Sequence, residues 1–87
     1  MVLILYSMAM TALMMISMKN LKKLIADLRG KLIVSCQAYP GEPMRDPRTM
    51  AQIACAAEQG GAAAIRCQGL RDIELIKKSV DVPVIGL

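Results

Sequence analysis

Two polar side chains stand at the ends of short apolar runs, where they could bind an anionic substrate. Gln37 ends the run Lys31–Gln37, and Arg66 lies near the end of the run Ala62–Cys67. A guanidinium group suits bidentate contacts with phosphate or carboxylate, and burying it without an anionic partner is costly. The residue types leave two partners open for the Arg66 guanidinium: an anionic ligand, or a carboxylate of the protein itself. Gln37 could also be a hydrogen-bonded strand-end amide.

The elements that would position these side chains alternate between strands and helices. Three predicted strands cover residues 31–37, 62–67 and 82–87, and the first contains the continuous apolar run Leu32–Val34, which is typical of a strand buried on both faces. Helical spacing of apolar residues precedes the first run and recurs between the runs. The predicted stripes are Leu21, Leu24, Ile25 and Leu28; Met50, Ile53, Ala54 and Ala57; and Ile73, Ile76 and Val80.

Capping residues predict where these helices begin and end. Asn20 could cap a helix over residues 20–29, and Gly30 could end it in the left-handed conformation. Asp46 and Pro47 form a helix start, with Asp as the cap and Pro at the first helical position. The pair Gly60-Gly61 would end that helix.

The order of the elements predicts an α/β fold with a parallel sheet and right-handed crossovers. A closed (β/α)8 barrel and an open doubly wound sheet both fit, although no G-x-G-x-x-G or Walker A motif favours a nucleotide site. Sites in such folds lie at the carboxyl ends of the strands. Because side chains alternate along a strand, we expect Gln37 and Arg66 to point together at the mouth of the sheet.

Composition argues against several classes of function. The 87 residues carry a net charge of +4 but only two aromatic side chains, Tyr6 and Tyr39, so nucleic acid is not an expected partner. There is no histidine, and the three cysteines form no C-x-x-C pair, so neither a metal site nor a cofactor is predicted. We interpret Cys36, Cys55 and Cys67 as small hydrophobes in a reducing compartment, the cytoplasm.

Residues 1–18 contain no charge and allow three interpretations. They could form a membrane anchor, with Lys19, Lys22 and Lys23 on the cytoplasmic side, or a signal peptide. The favoured interpretation is a start codon assigned too early, because Met18 begins an ordinary cytoplasmic N-terminus. The predicted division is therefore an apolar extension, 1–17, and one domain, 18–87.

Several segments, in order, resemble one enzyme family. They are KLIVSCQ at 31–37, PGEP at 40–43, AAEQGGAAAIR at 56–66 and VPVIG at 82–86. Together they resemble the N-terminal third of N-acetylmannosamine-6-phosphate 2-epimerases, and the similarity begins near Met18. Other sugar-phosphate or indole-glycerol-phosphate barrels fit these segments less well.

The resemblance implies the first three strands and two to three helices of a (β/α)8 TIM barrel. It also implies an isomerase that interconverts N-acetylmannosamine 6-phosphate and N-acetylglucosamine 6-phosphate in amino-sugar and sialic-acid catabolism. Gln37 and Arg66 match family positions that line the sugar-phosphate site. No cofactor is implied, and the oligomeric state is left open.

The resemblance places the catalytic lysine and its acidic partner beyond Leu87. We therefore expect an enzyme fragment that is inactive alone. Its sheet would have two open edges, which invite aggregation. The alternative from another class is a membrane-anchored, non-catalytic interaction protein that uses residues 1–18.

Overall fold

A computed structural model describes residues 4–5 and 18–87, with side-chain surroundings from residue 20 onward. Strands and helices alternate as the sequence predicts, although the strands are shorter than the apolar runs. The elements are β1 (Ile4–Leu5), α1 (Met18–Leu28), β2 (Ile33–Ser35), α2 (Pro47–Gln59), β3 (Ala64–Cys67), α3 (Leu70–Ser79) and β4 (Val84–Gly86).

The described strands form one sheet in the order β1-β4-β3-β2. β2 pairs in parallel with β3, and β3 in parallel with β4, so the predicted parallel sheet is confirmed. β1 pairs antiparallel with β4, Ile4 opposite Gly86 and Leu5 opposite Ile85. The expectation of two open edges was therefore wrong at β4. The rest of the predicted extension, residues 1–3 and 6–17, lies outside the described residues.

Local capping chemistry sets the start of α2 and the turns that follow α1 and α2, but not the start of α1. Asp46 caps α2 in an extended conformation, and its side chain accepts a hydrogen bond from the backbone N–H of Arg48 at 2.8 Å. Gly30 and Gly61 adopt the positive φ angles of 75° and 101° that glycine tolerates after a helix. Asn20 is not a cap, because α1 already begins two residues earlier, at Met18.

The core lies between the sheet and the helices α2 and α3, which pack against each other. Met50, Ile65 and Ile76 are the largest apolar side chains that are almost fully buried. The predicted stripes of α2 and α3 are confirmed, since their members are buried or packed against the core. Burial of this kind supplies most of the favourable free energy of folding.

The sheet face opposite these helices is formed by Ile33, Ser35, Arg66 and Ile85, and we refer to it as the inner face. The prediction that the first apolar run is buried on both faces was wrong. Leu32 is 64% exposed and Ile33 is 41% exposed. The physical reason is that β2 is the last strand of the described sheet and no described element covers its inner side.

No described helix has the length and apolar character required to cross a membrane.

Candidate functional site

The parallel register brings the two predicted site residues to the same face of the sheet. Ser35 is the register partner of Arg66, so both side chains project from the inner face. Gln37 lies two residues beyond Ser35, and its Nε2 donates a hydrogen bond to the Ser35 Oγ at 2.9 Å. Gln37 and Arg66 are therefore diagonal neighbours at the carboxyl ends of β2 and β3. Their role in binding a substrate stays a prediction.

One hydrogen-bond donor of the Arg66 side chain is not used within the described part of the chain. Its side chain is half-buried, and its Nε is buried without a hydrogen-bond partner among the described residues. A buried donor that lacks an acceptor costs free energy, so such groups normally find a partner.

A cleft of about 480 Å³ opens where β2 and β3 end. Gln37 and Tyr39 line one side, and Gln68, Arg45 and Asp72 line the other parts. Arg66 does not line this cleft, whereas Gln68, two residues further along the chain, does. Two candidate surfaces thus lie at the carboxyl end of the sheet: the cleft, and the part of the inner face that carries Ser35 and Arg66.

An ion pair that the sequence did not reveal lines part of the cleft. Both terminal nitrogens of Arg45 donate to the carboxylate of Asp72, and Nη1 also donates to the carbonyl oxygen of Ala38 at 2.8 Å. Asp72 is 1% exposed, and its hydrogen bond raises the pKa of the Arg45 guanidinium above its ordinary value. The pair fastens the loop that follows Gln37 to the first turn of α3.

The buried cysteines behave as hydrophobes rather than as nucleophiles. Burial raises the pKa of the Cys36 thiol, and burial with the nearby Asp72 carboxylate raises the pKa of Cys67 to about 12. A thiol reacts as its thiolate, so neither group is suited to covalent catalysis near neutral pH. The interpretation of these two residues as core side chains is confirmed, while Cys55 is only half-buried.

Close relatives are found among bacterial epimerases. A Cutibacterium acnes protein named "Putative N-acetylmannosamine-6-phosphate 2-epimerase" is 58% identical to the chain over 65 residues. The aligned region covers 75% of this chain and 28% of that protein. A Caldanaerobacter subterraneus protein of the same name is 58% identical over 64 residues, which cover 74% of this chain and 27% of that protein. Residues 50–87 match the family model described as "Putative N-acetylmannosamine-6-phosphate epimerase". Over the region that aligns, the chain is therefore similar to these epimerases.

A solved member of the family has the same local fold. N-acetylmannosamine-6-phosphate 2-epimerase from Clostridium perfringens aligns with a TM-score of 0.70 and 49% sequence identity, over 72% of this chain and 28% of that one. The parallel strands and their helices form part of a (β/α)8 barrel, as the resemblance implied. The chain spans a little over a quarter of the length of these relatives.

Proposed function

We propose that this chain is part of an isomerase that interconverts N-acetylmannosamine 6-phosphate and N-acetylglucosamine 6-phosphate. The observation that carries the proposal is the shared inner face of Gln37 and Arg66 at the carboxyl ends of parallel strands, in a chain 58% identical to proteins named as such epimerases. Active sites of (β/α)8 barrels lie at this end of the sheet. The reaction would belong to cytoplasmic amino-sugar and sialic-acid catabolism. No observation on the described residues favours the membrane-anchored alternative.

In this proposal Arg66 and Gln37 bind and orient the substrate. The guanidinium of Arg66 offers charge and directed donors to an anionic oxygen, and Gln37, held by Ser35, offers an amide to a sugar oxygen. Residues 18–87 would then form one domain, and this domain contributes residues that bind the substrate. Inversion at C2 also requires groups that remove and return a proton. By resemblance, the catalytic lysine and its acidic partner come from family segments that follow the region matched here.

Binding of the phosphorylated sugar tests the role of Arg66. We expect N-acetylmannosamine 6-phosphate to shift the backbone amide NMR signals of Ser35, Gln37 and Arg66, and N-acetylmannosamine without the phosphate to leave them unchanged. Arg66→Met should weaken binding by at least about tenfold, since a charge-assisted contact contributes about 1.5–3 kcal/mol.

Arg29→Met is the matched control, because Arg29 is exposed in the turn after α1, before β2 begins, whereas Gln37 and Arg66 lie where β2 and β3 end. It should bind the phosphorylated sugar as the unchanged chain does. Equal binding of both sugars, or equal loss in both variants, would contradict the proposed role of Arg66.

Turnover by the purified 87-residue chain is expected to be indistinguishable from a blank without protein. The reason is that the proposed acid and base do not come from this region, and removing such groups typically costs 10²–10⁴-fold each. A coupled assay that detects formation of N-acetylglucosamine 6-phosphate measures this directly. Turnover that depends on Arg66 would refute the assignment of the acid and base to other segments.

A further inference from the structure

Gln37 lies where β2 has ended, and its two neighbours in the chain are held from different directions. The N–H of Cys36, the residue before Gln37, donates to the carbonyl oxygen of Arg66 at 2.8 Å. The carbonyl oxygen of Ala38, the residue after it, accepts a hydrogen bond from the Nη1 of Arg45, also at 2.8 Å. The first bond continues the pairing of β2 with β3, whereas the second depends on one side chain at the other end of the loop. The backbone at Gln37 is therefore held on its loop side by Arg45.

The backbone of Arg45 is itself fixed by the loop and by the start of α2. Arg45 directly precedes Asp46, whose side chain caps α2. Its N–H donates to the carbonyl oxygen of Glu42 at 3.0 Å, and the N–H of Glu42 donates to that of Tyr39, also at 3.0 Å. These two turns fold the loop back on itself, which brings the Arg45 side chain to the start of the loop.

Asp72 links this arginine to the unit that carries Arg66. Its carboxylate accepts from both terminal nitrogens of Arg45, in the forked arrangement that suits a guanidinium and a carboxylate. Asp72 lies in the first turn of α3, and only a short turn separates this helix from β3. The loop after Gln37 is thus attached to the same strand and helix that hold Arg66.

Stability alone does not explain why this pair is buried. Asp72 is 1% exposed, and the cost of removing two charges from water offsets much of their attraction. A forked pair supplies a defined geometry in addition to its energy. Binding residues must be held within about 0.5 Å of their productive positions, and a residue beyond the end of a strand needs support from outside that strand.

We propose that Arg45 and Asp72 are positioning residues of the candidate site, and that they set the place of Gln37 relative to Arg66. They act through the backbone at Ala38 and not by contact with the sugar. The inference rests on the proposed function for what Gln37 binds. The placement of Gln37 is a property of the chain without substrate, so it can be measured separately.

Nuclear magnetic resonance relaxation of the chain without substrate tests this placement. The test variant combines Arg45→Met with Asp72→Asn, which removes the link to Ala38 and leaves no buried charge without a partner; we call it the unlinked variant. We expect the backbone order parameter of Gln37 to fall from about 0.85, typical of rigid backbone, to below about 0.6. The order parameter of Arg66 should stay unchanged.

Glu58→Ala is the matched control, because it removes a link of a similar kind at the other end of the sheet. The carboxylate of Glu58 accepts from the N–H groups of Asp81 and Val82, at 2.6 and 3.0 Å, just before β4 begins. Its loss should leave the order parameter of Gln37 unchanged. Circular dichroism checks that the variants fold. Arg45→Lys, which keeps a charge but lacks the forked donors, replaces the unlinked variant in the comparison if that variant is unfolded.

Binding of N-acetylmannosamine 6-phosphate shows whether the pair acts through Gln37. The unlinked variant should bind this sugar about tenfold more weakly than the unchanged chain does. When Gln37→Ala is already present, the same two substitutions should change the dissociation constant by less than about twofold, because effects that pass through one residue are not additive. A purely structural loss would weaken binding equally in both backgrounds.

Each outcome decides the inference. An unchanged order parameter of Gln37 in the unlinked variant overturns it, and so does an equal fall in Glu58→Ala. Binding that is not weakened, or that is weakened equally with and without Gln37, also overturns it. A loosened Gln37 in a chain that binds no sugar supports the placement by Arg45 and Asp72 and counts against the proposed function alone.

Discussion

Replacing Ile76 with alanine is expected to lower the free energy of unfolding of this chain by about 3 kcal/mol. Ile76 is fully buried in α3, in the core that α2 and α3 build on the sheet. The substitution removes the contacts of three carbon atoms and leaves a cavity that the other core side chains can only partly fill. Stabilities of small domains begin at about 5 kcal/mol, so the loss would be a large share of the total.

Ile25→Ala provides the matched control for the Ile76 substitution. Ile25 lies on α1 and is 55% exposed, so the same chemical change should cost less than about 0.5 kcal/mol. Urea denaturation followed by far-ultraviolet circular dichroism measures both variants. Similar losses at the two positions would mean that the layer of α2 and α3 is not closely packed.

The parts of the fold that local chemistry determines could be predicted from the sequence. Asp46 and Pro47 place the start of α2, and the apolar spacing of α3 places Ile73, Ile76 and Val80 in the core, where the structure has them. These signals lie within one or two helical turns. A parallel sheet also follows from the order of the elements, because parallel strands require a crossover between them.

Features that depend on distant residues could not be predicted in this way. Arg45 and Asp72 are 27 residues apart, and each has an ordinary local explanation. Arg45 follows a proline-rich loop, and an acidic residue in the first turn of a helix is favoured by the helix dipole. The exposure of Ile33 depends on which elements cover the sheet. The apolar residues around Ile33 carry no information about those elements. The pairing of β1 with β4 likewise joins the two ends of the chain.

The location of the candidate site was predictable for a different reason. Strand alternation and a parallel sheet are enough to put Ser35, Gln37 and Arg66 on one face, and the register agrees. Local signals did not reveal that the loop after Gln37 is fastened to α3. That attachment, formed by Arg45 and Asp72, lines the cleft beside Gln37 and joins residues that are far apart in the sequence.

Replacing Arg45 with alanine is expected to destabilise the chain more than replacing Asp72 with alanine. Asp72 is 1% exposed in the unchanged chain, so Arg45→Ala removes the cation from a carboxylate that lies in the interior, and a buried charge without a partner is strongly unfavourable. Asp72→Ala leaves a guanidinium that is partly exposed and can turn toward water. Thermal unfolding followed by circular dichroism compares the two melting temperatures.

The double variant and a nearby arginine complete this test. Arg45→Ala combined with Asp72→Ala should be more stable than Arg45→Ala alone, because no charge is then buried without a partner. Arg48→Ala, an exposed arginine in the first turn of α2, should leave the melting temperature almost unchanged. Equal losses at Arg45 and Asp72, with no recovery in the double variant, would show that the pair acts only through packing. The loop after Gln37 would then be held by apolar contacts and by the Arg45 hydrogen bond to Ala38, rather than by the charge of Asp72.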